Sequence, residues 1–152
     1  MTPKRLFTTL AFAEVVTWTL LLVGMALKYL TDTTELGVRI GGGLHGFVFL
    51  GYCVVTVLVG VSQRWHVGWI LGGLLSAVVP YATIWFERQV TRRGMLGDTW
   101  RLGRGGAEPG WFGEHVVAWV LRHPVVAAVV AVVGVSVVFA VLLYLGPPIQ
   151  VS

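Results

Sequence analysis

Long apolar stretches constrain this chain more than anything else in it. They run roughly from Leu6 to Leu30, Val38 to Val61, His66 to Phe86 and Pro124 to Leu145. A bilayer core of ~30 Å takes about 20 helical residues at ~1.5 Å each, so every one of these stretches is long enough to cross. Backbone N–H and C=O groups find no water in lipid, and each crossing segment must therefore close its own hydrogen bonds as a helix. The sequence predicts an all-α, multi-pass transmembrane bundle, with a three-helix core and a fourth, C-terminal transmembrane helix. Of 152 residues, 56% are hydrophobic and 12% charged, which excludes a soluble enzyme or a disordered tail. The single cysteine, Cys53, lies inside an apolar run and rules out a disulfide scaffold. Lys4 and Arg5 ahead of Ala11-Phe12-Ala13 imitate a secretory signal, but they leave no room for its apolar core, so the segment is expected to stay as a helix.

Short connections, Thr31 to Gly37 and Ser62 to Trp65, place the first three spans side by side in an up-down-up core over residues 1–93. Residues 94–123 differ in kind. Gly94, Gly97, Gly103, Gly105, Gly106, Gly110 and Gly113 with Pro109 predict an irregular loop. Its distal part, Trp111 to His123, fits either a short helix in the head-group zone or extra turns of the last span. Residues 124–152 are the fourth span and a short tail. Gly103-Arg104-Gly105-Gly106 has no preceding strand and so does not read as a nucleotide-binding turn. The net charge of +4 is carried by arginines in membrane loops beside tryptophan, which points to anionic lipid and away from nucleic acid. Arg88, Arg92, Arg93, Arg101 and Arg104 are the expected head-group contacts. With four spans, Lys28, Arg39, Arg88, Arg92, Arg93, Arg101, Arg104 and Arg122 share one face, against Lys4, Arg5 and Arg64 on the other. Positive residues are retained inside, so loop 88–123 is expected in the cytoplasm and both termini outside.

Polar residues inside the spans carry the functional information, since each costs a few kcal/mol at mid-bilayer unless it faces protein or water. Glu14, Thr17, Leu21, Gly24 and Lys28 follow a 3, 4, 3, 4 spacing and share one face of the first helix. His45, Phe49, Tyr52 and Thr56 do the same on the second. Gly68, Gly72, Ser76, Pro80, Thr83 and Glu87 do so on the third. Gly42 and Gly46 flank His45 at close-packing spacing, and Gly68, Gly72 and Pro80 are likewise expected at helix contacts. Depths counted from Lys28, Arg39 and Glu87 put His45 about 9 Å and Glu14 about 21 Å down, too far apart for a direct pair. Two layers are expected: Glu14 with Thr17, Tyr52 and Ser76, and His45 with Tyr81 and Thr83 beneath Lys28, Arg39, Glu87 and Arg88. Glu14 and His45 read either as helix-to-helix hydrogen bonds that fix packing or as a site for a proton, an ion or a small head group. No convergent ligand set predicts a metal or another cofactor, and no Ser/His/Asp set predicts a nucleophile.

The runs Glu14-Val-Val-Thr17, Met25-Ala-Leu-Lys28-Tyr29, Gly43-Leu-His45-Gly46 and Val79-Pro80-Tyr81-Ala-Thr83 with Glu87-Arg88 resemble a domain-of-unknown-function family of small bacterial integral membrane proteins with a His-Gly motif. The resemblance covers about residues 5–93. It implies a three-span unit in the bacterial cytoplasmic membrane with motif positions at Glu14, Lys28, His45, Gly46, Pro80 and Thr83, and it implies no activity. Val15, Ala26 and Tyr81-Ala82 stand where the family is expected to carry Gly, Pro and Phe-Gly. The first functional expectation is a non-enzymatic accessory or assembly subunit, bound to lipid and to other membrane proteins or to further copies of itself. The alternatives are an oligomeric transporter of a proton, ion or small solute, and a lipid-modifying enzyme with His45 or Glu14 as general base.

Overall fold

The computed structural model describes residues 1–31 and 36–145, without the side chains of 31, 135, 136, 138–140 and 142–145. Residues 32–35 of the expected Thr31 to Gly37 connection, the side chain of Ser136 and the tail 146–152 lie outside what is described. Six helices follow one another: α1 Pro3–Thr31, α2 Leu36–Ser62, α3 Val67–Val78, α4 Ala82–Arg92, α5 Phe112–Arg122 and α6 Pro124–Leu145. The protein is an all-α, multi-pass helical membrane bundle. α1 and α2 are each long and apolar enough to cross a bilayer, and the α5–α6 pair supplies a further candidate span. The chain divides into two compact units, Met1–Arg101 and Leu102–Ser152.

Local chemistry sets the helix ends. Thr2 caps α1 by accepting from the Arg5 amide at 3.2 Å, with Pro3 in the first helical position, where its missing N–H costs nothing. α2 ends in paired reverse bonds, Trp65 N–H to Gly60 O and Arg64 N–H to Val61 O, with Arg64 in the left-handed region at φ 56°. α4 ends the same way, with Met95 bonding to Val90, Gly94 to Thr91, and Gly94 at φ 66°. The His66 imidazole caps α3 by accepting from the Gly68 amide.

α1 and α2 form a long antiparallel pair whose register is set by backbone contact. A Cβ on Gly24 would stand 2.6 Å from the carbonyl carbon of Gly37, and one on Gly41 would stand 3.1 Å from the Leu21 backbone. Only hydrogen fits between such backbones. The close approach is therefore made at Gly24, Gly37 and Gly41. At Gly42 the nearest atom is the tip of Leu21, 3.9 Å away, Gly46 has nothing within 4 Å, and Gly68 meets only the His66 ring. Those three are not the contact glycines that spacing suggested, while Gly72 does pack on the Phe86 ring.

The third apolar stretch is two helices. Pro80 removes an N–H and disfavours helical geometry at Val79, which is extended at φ −100°, ψ 124°. Tyr81 then turns the chain in the left-handed region at φ 66°, and α4 begins. α4 runs back along α3 instead of continuing it. Phe86 packs against Gly72 and Gly73, its ring lies 6.0 Å from that of Trp69, and the Arg93 guanidinium sits 4.8 Å over the Trp69 ring. With 12 and 11 residues, the arms are about 18 and 16 Å long, roughly half a bilayer core each. The hairpin enters beside α1 and α2 and leaves at the end where it entered.

Contacts at that end overturn the expected grouping of charges. Glu87 accepts from Thr8 on α1, the Trp65 indole donates to the Met95 carbonyl, Trp100 donates to the Met1 carbonyl, and Gln63 donates to Thr99. Arg88, Arg92, Arg93 and Arg101 therefore share an end with Lys4, Arg5 and Arg64, opposite Lys28 and Arg39. Counting the third stretch as a crossing put them on the wrong side. Arg101 also differs from its expected head-group role, because its guanidinium donates to the Ser62 and Val61 carbonyls and closes the end of α2.

In the second unit, α5 and α6 meet at 107° across His123. α5 is thus a separate helix and not extra turns of the last span. Its first turn is held by Glu114, whose carboxylate accepts from the Gly110 amide at 2.7 Å.

Candidate functional site

The α1–α2 register brings two ionisable side chains together inside the bundle. Opposite Thr17 on α1 stands His45 on α2, whose Nδ1 lies 3.3 Å from the Thr17 hydroxyl. Glu14, one turn earlier on α1, brings Oε2 to 3.4 Å from the same nitrogen. Counting depth from Lys28 and Arg39 separated these residues because it assumed that the two charges stand level. The backbone contact of Gly24 with Gly37 slides α2 by about six residues from that assumption, or about 9 Å, and the pair closes.

Glu14 is fully buried, and neither of its carboxylate oxygens has a hydrogen-bond partner among the described residues. His45 retains 12% exposure at its side chain. Its ring lies tilted against those of Trp18 and Phe49, with centroids 4.4 and 6.1 Å away. The Trp18 indole in turn reaches the Ala77 carbonyl at the end of α3. The Thr17 hydroxyl donates to the Glu14 main-chain carbonyl at 3.1 Å and lies 3.3 Å from His45 Nδ1, which accepts from it or donates to it according to the tautomer. The centre thus offers a carboxyl group without hydrogen bonds, an imidazole and a hydroxyl, with aromatic rings on the open side.

The remaining stripe residues fall into three separate contacts. Tyr52 and Ser76 bond each other at 3.1 Å, both buried, with Thr56 and Ser76 also satisfying the carbonyls of Tyr52 and Gly73. Thr83 donates to the Ala11 carbonyl on α1. Glu87 accepts from Thr8 at 2.7 Å and from Thr91 at 3.1 Å. Tyr81 is exposed at the hairpin tip, with its hydroxyl 3.4 Å from that of Thr19, so it does not join His45. Lys28 lies beside the Tyr29 ring, and Arg39 is exposed. Neither Thr83 nor Glu87 belongs to the layer that depth counting gave it. Thr8, Trp18 and the Ala77 carbonyl escaped the sequence reading because their roles depend on long-range packing, Thr8 on the return of α4 and Trp18 on the end of α3. No three His, Cys, Asp or Glu side chains converge among the described residues.

Residues 4–92, which hold this whole constellation, match the family described as "Domain of unknown function (DUF3817)". The chain belongs to the DUF3817 family. A Streptomyces coelicolor chain that carries the name of a membrane protein, SCO5905, is 50% identical over 93 residues, covering 60% of this chain and 11% of that one. YdzA of Bacillus subtilis, named as an uncharacterized membrane protein, is 32% identical over 88 residues, covering 57% of this chain and 91% of its own length. This chain thus spans about a tenth of the Streptomyces relative's length and nearly all of the Bacillus one's. No solved structure matches it.

Proposed function

We propose that this DUF3817 protein works through a proton held between Glu14 and His45 inside the membrane. One observation carries the reading: a fully buried carboxyl group with no hydrogen bond, 3.4 Å from an imidazole nitrogen. Low-dielectric surroundings make such a group expensive unless its charge is used or neutralised. A metal cation needs several oxygen ligands, and this centre supplies one carboxyl group and one hydroxyl. A proton needs only two partners. Adding or removing one proton changes the net charge at the point where α1 and α2 touch and where Trp18 reaches the α3–α4 hairpin. Infrared difference titration in lipid nanodiscs tests this. Wild type is expected to show a titrating carboxyl band that Glu14→Gln removes and His45→Gln shifts. A spectrum that Glu14→Gln leaves unchanged ends the reading.

We place the protein in the bacterial cytoplasmic membrane as an accessory or interaction module, with lipid and other membrane proteins or further copies of itself as partners. The Streptomyces relative supports this, because it carries the same segment as about a tenth of a longer chain. In unit Met1–Arg101, Lys4, Arg5, Arg64, Arg88, Arg92, Arg93 and Arg101 stand against Lys28 and Arg39, which by the positive-inside rule puts the N-terminal end in the cytoplasm. Proton movement across the membrane remains the alternative within the same centre. Proteoliposomes with an internal pH dye separate the two: faster collapse of a pH gradient than in protein-free vesicles, lost in Glu14→Gln, marks transport.

A further inference from the structure

We propose that the elbow between α5 and α6 is a binding site for the phosphate of an anionic phospholipid, gripped by Arg104, Arg122 and His123 while the bare face of α5 rests on acyl chains. A pocket of about 450 Å³ opens at the elbow, lined by Arg104, Gly105, Gly106, Glu108, Arg122 and His123. The guanidiniums are held in place by the backbone. Arg104 donates through Nε to the Arg122 carbonyl at 2.9 Å, and Arg122 reaches the Leu102 and Ala107 carbonyls at 3.4 and 3.3 Å. The Arg104 bond uses Nε alone and does not take up the two terminal nitrogens of that side chain. A planar guanidinium with free N–H groups matches the spacing of phosphate oxygens. α5 ends and α6 begins at His123, so the opposite partial charges of the two helix ends offset each other and the arginines carry the attraction. Glu108 is the one carboxylate on the rim, and it opposes an anion.

The neighbouring helix says that the phosphate belongs to a lipid. α5 buries Glu114, Val117 and Ala118 and leaves Phe112, Val116 and Trp119 exposed at i, i+4, i+7 spacing, with Trp111 next to them. A soluble phosphate gives that face no role. A helix lying in the interfacial plane buries it among acyl chains, and tryptophan favours that depth. With α6 leaving at 107°, an α5 in the plane of the surface sends α6 into the bilayer and leaves the arginine pocket at head-group level.

Native mass spectrometry on the full chain in detergent, with short-chain phosphatidylglycerol, phosphatidylcholine or inorganic phosphate added, tests the proposal. Phosphatidylglycerol is expected to remain bound where phosphatidylcholine does not. Arg104→Gln and Arg122→Gln should each weaken retention about fivefold, the worth of one cation near an anionic head group. Glu108→Gln should strengthen it, a gain that misfolding cannot imitate. Equal retention of the two lipids overturns the site, and so does undiminished phosphatidylglycerol binding in the double arginine variant. Displacement of phosphatidylglycerol by millimolar inorganic phosphate overturns the lipid assignment.

Discussion

The hydroxyl of Thr8 on α1 donates to Oε1 of Glu87 on α4 at 2.7 Å, across 79 positions of sequence. Thr91 shares the same oxygen, so the returning arm of the hairpin is tied to the first turns of the chain. Replacing Glu87 with Leu leaves two hydroxyls without their acceptor. The expected loss is about 1 kcal/mol, since the site is only part-buried, read as an earlier midpoint in detergent unfolding. Glu87→Gln should recover most of it. Equal stability of the Leu variant and wild type would show that the tie holds nothing.

The same contact decides which residues can be reached from one compartment. In a chain with Cys53 replaced by Ser, single cysteines at Lys4, Arg64 and Asp98 should all react with an impermeant thiol reagent from one side. A cysteine at Tyr29 should react from the other. Labelling of position 98 together with position 29 contradicts a hairpin that turns back.

Gly24→Ala should separate α1 from α2, because the new methyl group would meet Gly37 backbone at 2.6 Å. Overpacking of this kind costs roughly 1–3 kcal/mol. Gly46→Ala, with nothing within 4 Å, should be neutral. Equal unfolding midpoints for the two variants would remove the Gly24–Gly37 contact as the source of the register.

The Glu14→Leu/His45→Leu double variant and Tyr52→Phe are expected to differ. The tyrosine hydroxyl is satisfied by Ser76, so its removal should cost about 1 kcal/mol. Replacing both Glu14 and His45 removes the buried pair as a whole and should hold or raise the unfolding midpoint while deleting the titrating band, whereas Glu14→Leu alone strands the imidazole and should lower it. Strong destabilisation by the double variant would make the two residues packing elements.

Spacing along the chain reveals much of this site. Glu14, Thr17 and His45 are found by their 3- and 4-residue intervals, and the buried Tyr52–Ser76 bond lies on the predicted faces. Distance between the helices is not readable in the same way. Charges such as Lys28 and Arg39 lie on flexible side chains and need not stand level, whereas the Gly24–Gly37 backbone contact fixes the offset to within a residue. Spacing places Pro80 at a helix contact inside one span, yet a proline permits either a kink or a reversal. The choice comes from Phe86 seating on Gly72 and Gly73 and from Thr8 reaching Glu87, both of which are long-range.

A returning hairpin also fixes parity. With α1 and α2 antiparallel and α4 running back along α3, the polypeptide at Arg101 stands at the same end of its unit as Lys4, and the Trp100 indole bonded to the Met1 carbonyl makes the two boundaries of this stretch neighbours.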